Sequence, residues 1–399
     1  MNKQALSESL NSIIRHYILP LGFFFFLSGI LFFRSFSAYH TQIYLFFILP
    51  SCFLLVREWK QLSIIFSTRA FQLLLLLIFY AALSLLWNDP AISDGQYLKR
   101  LFIILLFIFA IVNLADDKQD KVIKLLLVSA GIYALAAYYN FFNDYILLDK
   151  PVSTRIVGMG NLSNPLLSSH IYGVFSVFIM AYFFTRKRNL KQDMLLIFIF
   201  IGLFSFVLLT HSRTPLLAFS CSSLFLLWIQ RNKYTYYILA LTGLIAIIFF
   251  TLNFDLLMQR GLSSRPEIWS ITLDYIAQQP ITGAGIGTGI EIYIAKLDTI
   301  FTNSHNIHLS LTFSLGLVGL LLWALLLWSL LLIYINNRYS VFAKITMSLL
   351  LYGICAGMTE GGSFFSRPKE VWFLTWLPIA LILSIEYHQL RKVTANETA

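Results

Sequence analysis

The chemistry open to this sequence outside its apolar runs rests on Arg155, Arg213, Arg265, His305, Asn306, His308 and Arg367. The stretch "SHNIHLSLTFSLGLVG" (304–319) sets two histidines at the start of a long apolar segment. Histidine is the side chain best suited to move a proton near neutral pH, so either one is a candidate general base or acid. On a helix, His305 and His308 would share a face at i, i+3. That spacing suits a metal, but the neighbouring sequence has no Asp, Glu or Cys to complete a site, and HExxH is absent. No metal and no cofactor are expected. The plainer reading is a helix-end histidine bonded to a backbone carbonyl. Asn306 has a plain reading too, because Asn is a favoured N-cap.

The arginines stand where apolar segments end. Arg213 lies in the very short turn "THSRTP", Arg155 in "KPVSTRIVG", Arg265 in the long 253–306 connection and Arg367 in "GGSFFSRPKE". An arginine at membrane depth is costly unless paired, which makes it a functional hypothesis. Its bland alternative is a side chain reaching lipid phosphates. Several such cations, together with a boundary histidine, suit a phosphate-bearing lipid. A guanidinium grips two phosphate oxygens at once and does not lose its charge.

These residues need a membrane scaffold. The 399 residues are 58% hydrophobic and 12% charged, about half the charge of a soluble domain. Apolar runs such as "LFIILLFIFAIV" and "LLWALLLWSLLLIYI" do not alternate as barrel strands do. The reading is an all-α polytopic membrane protein, one integral domain over 1–399. Twelve spans are expected near 17–33, 41–56, 70–87, 100–114, 122–148, 165–185, 194–210, 214–230, 234–252, 307–335, 341–358 and 370–388. The first apolar run, from Tyr17, lacks a small-residue cleavage site and reads as a retained span. Most of the 29 lysines and arginines fall on the side of the termini, which predicts cytoplasmic termini. Arg155, Arg213, Arg265 and Arg367 then all face the opposite side. The net charge of +10 is read as cytoplasmic loops facing lipid, with no nucleic-acid partner. Cys52, Cys221 and Cys355 lie far apart inside apolar runs and read as small hydrophobes.

The 253–306 connection between spans nine and ten is the one large loop. "SRPE" (264–267) predicts a capping box, with Ser264 as N-cap and Glu267 three residues on. Ile268, Ile271 and Tyr275 then form the stripe of a short amphipathic helix on the membrane surface or over the bundle. "QQPITGAGIGTG" (278–289) predicts turns and does not fit GxGxxG, so a dinucleotide or P-loop site is rejected.

The far side of a bacterial inner membrane has no ATP, so group transfer there needs a donor activated beforehand. A polyprenyl-pyrophosphate sugar is such a donor. Its leaving group needs cations, and an acceptor hydroxyl needs a base.

In order, "HSRTPLLAF" (211–219), "SSRPEIWSITLDYIAQQPITGAGIGTG" (263–289) and "HNIHLSLTFSLGLVG" (305–319) resemble the O-antigen ligase and polymerase superfamily. The shared features are SRT at a helix start, R-x-x-x-W leading to a Gly-rich turn, and His-Asn-x9-G-x-x-G. The resemblance covers roughly 205–325. It implies transfer of a preassembled glycan from undecaprenyl pyrophosphate to lipid A–core, without ATP or metal and with inversion, at the periplasmic face of the inner membrane. It implies Arg213 and Arg265 as clamps on the pyrophosphate and His305 as the base. Arg155, Asn306, His308 and Arg367 are expected to help bind substrate, and membrane lipids surround the chain. An O-antigen polymerase is the runner-up. A protein O-oligosaccharyltransferase ranks lower, because such proteins tend to be longer and this sequence ends about ten residues after its last expected span. A transporter or flippase ranks lower, because the informative residues gather at one face and no internal repeat is visible.

Overall fold

The computed structural model describes residues 10–89, 93–115, 119–230, 233–254, 264–362 and 364–397. It is an all-α bundle. Its long helices are α1 (Leu10–Phe32), α2 (Phe36–Arg57), α3 (Arg69–Leu86), α4 (Asp94–Ala115), α5 (Gln119–Leu147), α6 (Pro165–Thr185) and α7 (Leu190–Leu209). After these come α8 (Arg213–Gln230) and α9 (Lys233–Leu252). Beyond the large connection stand α11 (Ile307–Asn336), α12 (Val341–Gly357), the single turn α13 (Glu370–Leu374) and α14 (Trp376–Glu397).

All twelve expected spans are helical. Among the described residues, ten helical segments are long and apolar enough to cross a membrane. The other two are α12, of 17 residues, and α8, which carries Arg213, Thr214, Ser220, Ser222 and Ser223. Both are held by neighbours instead. They pack on each other, and α12 also packs on α6. α6 and the segment Glu370–Thr394 form the centre, 83% and 89% buried, whereas α9 is peripheral at 18%. Prolines shape the first two spans. Pro20 and Pro50 each lack an N–H donor, and the backbone before each widens into a π-turn, Ile14–Ile18 and Tyr44–Ile48.

The large connection is more ordered than its turn-rich sequence predicts. Helix α10 (Arg265–Gln278) is followed by a short antiparallel hairpin, β1 (Ile292–Ile294) and β2 (Thr299–Phe301), which pairs Ile292 with Phe301. Ile268, Ile290, Ile292, Ile294 and Phe313 make a small apolar core of their own, flanked by Ile271 and Tyr275. The predicted stripe therefore packs on the hairpin and on α11, over the end of the bundle. The capping box does not form. Ser264 is left-handed (φ 53°) and its side chain caps nothing. Its carbonyl accepts from Ile268 N–H at 2.9 Å, so the helix begins through backbone alone.

Two glycines join this loop to α11. Helix α11 breaks at Gly316, where φ is 62° and ψ is −162°. A break exposes backbone groups, and inside a bundle these must find partners. The loop supplies them. Ala284 and Gly285 N–H donate to the Phe313 and Ser314 carbonyls at 2.9 Å, and Leu317 N–H donates to Pro280 O at 2.8 Å. A side chain at either Gly283 or Gly316 would strike backbone, the nearest atom lying 2.4 Å or 2.1 Å away.

Candidate active site

Asn306 is the N-cap of α11, its side chain accepting from His308 N–H at 2.9 Å and Leu309 N–H at 3.1 Å. The helix therefore starts at Ile307, and His305 lies before it in a left-handed conformation (φ 47°). The expectation that His305 and His308 share a helical face is corrected by this start. His308 turns into the bundle, where its Nδ1 accepts from the Trp323 indole at 3.2 Å and its Nε2 lies 3.3 Å from the Ile354 carbonyl. It is satisfied by its packing, as the plain reading has it.

His305 turns the other way. Its backbone N–H donates to Asn303 Oδ1 at 3.1 Å, and its ring Nδ1 lies 4.0 Å from Glu360 Oε2. The other Glu360 oxygen accepts from Arg265 Nη2. Residues distant in sequence thus form a chain, Arg265–Glu360–His305. Glu360 is 3% exposed. Burial pushes its carboxyl up. The facing His305 ring, with the charges of His170 and Arg265, outweighs burial and holds it below the ordinary carboxylate value. The carboxylate is therefore ionised and available to orient an imidazole and to stabilise its protonated form.

Glu360 is a residue that sequence reasoning missed. It sits in "MTEGGSFF", with no motif to mark it. His170 was missed as well. It lies in α6, buried, with both ring nitrogens lacking a hydrogen-bond partner and its ring 6.4 Å from that of Tyr352. Its signal was legible, because an ionisable residue inside an apolar run is a functional hypothesis by default.

The cluster opens on a cavity of about 660 Å³, whose lining includes Asn303, Ser304, His305, Glu360, Lys369 and Tyr97. Asn164 caps α6 at the same cavity, accepting from Leu166 and Leu167 N–H. Two long helices, α6 and α11, thus present their N-termini there, where backbone donors and dipoles favour an anion.

The other expected residues are less central. Arg155 donates to the Thr210 carbonyl (2.6 Å) and to Ser212 Oγ (2.7 Å), bracing the turn between α7 and α8. Arg213 is the first residue of α8 and is half-buried. Ser222 of α8 donates to the Ser348 carbonyl of α12, and nearer the start of α8, Cys221 meets Cys355 nearer the end of α12. The two helices are therefore antiparallel, and Arg213 stands at the end of the bundle where α12 runs into Glu360. Of the three residues expected to converge, the contacts join Arg265 and His305, through Glu360. Arg367 is exposed, beside His40, Tyr44 and Arg100.

Comparison with known proteins identifies the family. The family model described as O-antigen ligase matches residues 196–324, which hold Arg213, Arg265 and His305. A protein from Pseudomonas aeruginosa described as an O-antigen ligase is 32% identical over 387 residues, 96% of this chain and 94% of its own length. Similarity at that level along nearly the whole chain means that the protein belongs to the O-antigen ligase family.

Proposed function

We propose that the chain transfers a preassembled glycan from undecaprenyl pyrophosphate to a sugar hydroxyl of lipid A–core, at the periplasmic face of a bacterial inner membrane with both termini in the cytoplasm. The observation that carries this reading is the Arg265–Glu360–His305 chain beside a cavity flanked by two helix N-termini. His305 removes the proton of the acceptor hydroxyl. The hydroxyl oxygen forms the new bond to the anomeric carbon from the face opposite the pyrophosphate, giving inversion. The bond from that carbon to the pyrophosphate oxygen breaks, and its electron pair leaves with the pyrophosphate. Glu360 holds the His305 ring and offsets the charge it acquires. Arg265 engages Glu360 through Nη2, and its other N–H groups, with Arg213, meet the charge growing on the leaving group. Guanidinium groups take the part that a metal plays elsewhere, so neither ATP nor metal is needed.

A cellular test separates this from polymerase activity. In a ligase-deficient host with a matching core and glycan, the chain should restore the full lipopolysaccharide ladder. Its His305→Ala variant should leave lipid A–core bare while carrier-linked polymer accumulates. Failure to restore any ladder in that host, with conversion of single-repeat capping to a full ladder in a polymerase-deficient host that keeps its ligase, would assign a polymerase instead.

A further inference from the structure

The cavity touches Lys369, a cation that the transfer chemistry does not use, and further cations stand behind its wall. Tyr97 and Lys369 line it, and behind them the ends of three segments meet. Arg100 of α4 lies with its guanidinium 4.8 Å from the centre of the Tyr97 ring, and its Nε is buried without a hydrogen-bond partner. Lys99 lies 5.7 Å from the centre of the Tyr44 ring of α2. Arg367, in the loop before α13, directs its charge at His40, Tyr44 and Arg100. His40 holds that loop, its Nε2 lying 2.7 Å from the Pro368 carbonyl.

These charges repel one another. Arg367 acts against Arg100, and Arg100 against Lys369. Burial pushes the Lys369 ammonium down, and Arg100 adds to that against the opposing pull of Glu370. Among the described residues, no ion pair joins Arg100, Arg367 or Lys369 to a carboxylate. Aromatic faces hold Arg100 and Lys99 in place instead. Glu370, which also lines the cavity, is the one carboxylate acting on Lys369, so positive charge is in excess here. A bound anion stabilises such an excess, and a guanidinium fork fits phosphate.

We propose that Arg100, Arg367 and Lys369 form a second anion site, which binds a phosphate of the lipid acceptor while the donor's pyrophosphate lies at the His305 side of the same cavity. This rests on the reading of the chain as a ligase. The bond that breaks is at the pyrophosphate, and the attacking hydroxyl must lie within reach of His305, so the donor's pyrophosphate belongs beside that residue. Lipid A carries phosphates on its glucosamine pair, at the level of the headgroups. The cluster lies where α2 and α4 begin, at the corresponding level of the bundle. It would therefore seat the acceptor by its lipid end.

The test uses full-length protein in nanodiscs with saturating donor. The acceptors are rough lipopolysaccharide and the same material with its lipid A phosphates removed. Wild type should prefer the phosphorylated acceptor by about tenfold or more in kcat/KM, the scale of one charge-assisted contact. Arg100→Gln/Arg367→Gln should reduce that preference to within about twofold without raising the KM for donor. Should the double variant fail to fold, Arg367→Gln alone should lower the preference by about threefold, because Arg367 is exposed. The proposal is overturned if wild type does not discriminate, if the variant keeps the preference, or if its only change is a higher donor KM. Equilibrium binding of both acceptors to His305→Ala protein reads the site without turnover. A wild type that transfers nothing while this variant still prefers the phosphorylated acceptor would sink the ligase reading and leave the anion site standing.

Discussion

His305 and Glu360 illustrate what single residues reveal in sequence and what they conceal. His305 was legible because an imidazole at the mouth of an apolar run has little packing use. Its partner was not, because Glu360 comes from a different loop and reaches His305 only when α12 and α11 pack together. The shared face of His305 and His308 fails for a local reason: Asn306 caps the helix, which starts at Ile307, two residues after His305. The Glu360 contact makes two predictions. Glu360→Gln should lower kcat by about 100-fold, within the range for general-base assistance, with a much smaller effect on donor KM. The second concerns stability. The folded carboxyl titrates below its ordinary value, so its stabilising contribution is complete above that value and is lost as pH falls through the lowered one. The difference in melting temperature between wild type and Glu360→Gln should be largest near neutral pH and shrink on acidification. A constant difference would mean that Glu360 does not act as a carboxylate. Arg213→Lys should cost about tenfold or more in kcat/KM, because an ammonium cannot fork across two phosphate oxygens.

At the scale of elements, apolar period and length were enough to locate the helices, and α10 appears where its stripe predicts. The hairpin was not legible. Its strands are only three residues long, and their stability comes from Ile268 and Phe313, which are remote in sequence. The glycine-rich turn and the G-x-x-G of α11 were visible as separate motifs, yet their meaning is joint. Gly283 and Gly316 let two backbones touch, and the loop replaces the hydrogen bonds that the broken helix loses. Gly316→Ala should therefore lower the melting temperature sharply and displace the start of α11. A residue other than glycine at positive φ costs about 1–2 kcal/mol before any clash is counted. Gly289→Ala, in the same motif but with open space around it, should leave thermal stability unchanged. Equal losses at both positions, read by thermal unfolding in detergent, would remove the interlock from the account.

The whole molecule follows most directly from composition, because a bilayer requires each long apolar segment to satisfy its own backbone. Twelve helices were foreseeable for that reason. What hydropathy could not convey is that α8, with its polar residues, and α12, only 17 residues long, are held against each other and help to form the site end. The proposed orientation is tested by labelling a cysteine-free background in spheroplasts with a membrane-impermeant maleimide. Lys296→Cys, exposed beside the hairpin, should react in intact spheroplasts, whereas Lys187→Cys, exposed between α6 and α7, should react only after permeabilisation. The reverse pattern would place the cavity on the cytoplasmic side. The most direct measurement of the central claim is transfer by purified protein from an undecaprenyl-pyrophosphate glycan to rough lipopolysaccharide, in EDTA and without ATP. Wild type should form glycan-bearing lipopolysaccharide, and folded His305→Ala should be slower by about 100-fold or more. Wild-type rates from that variant would contradict the claim that His305 is the base.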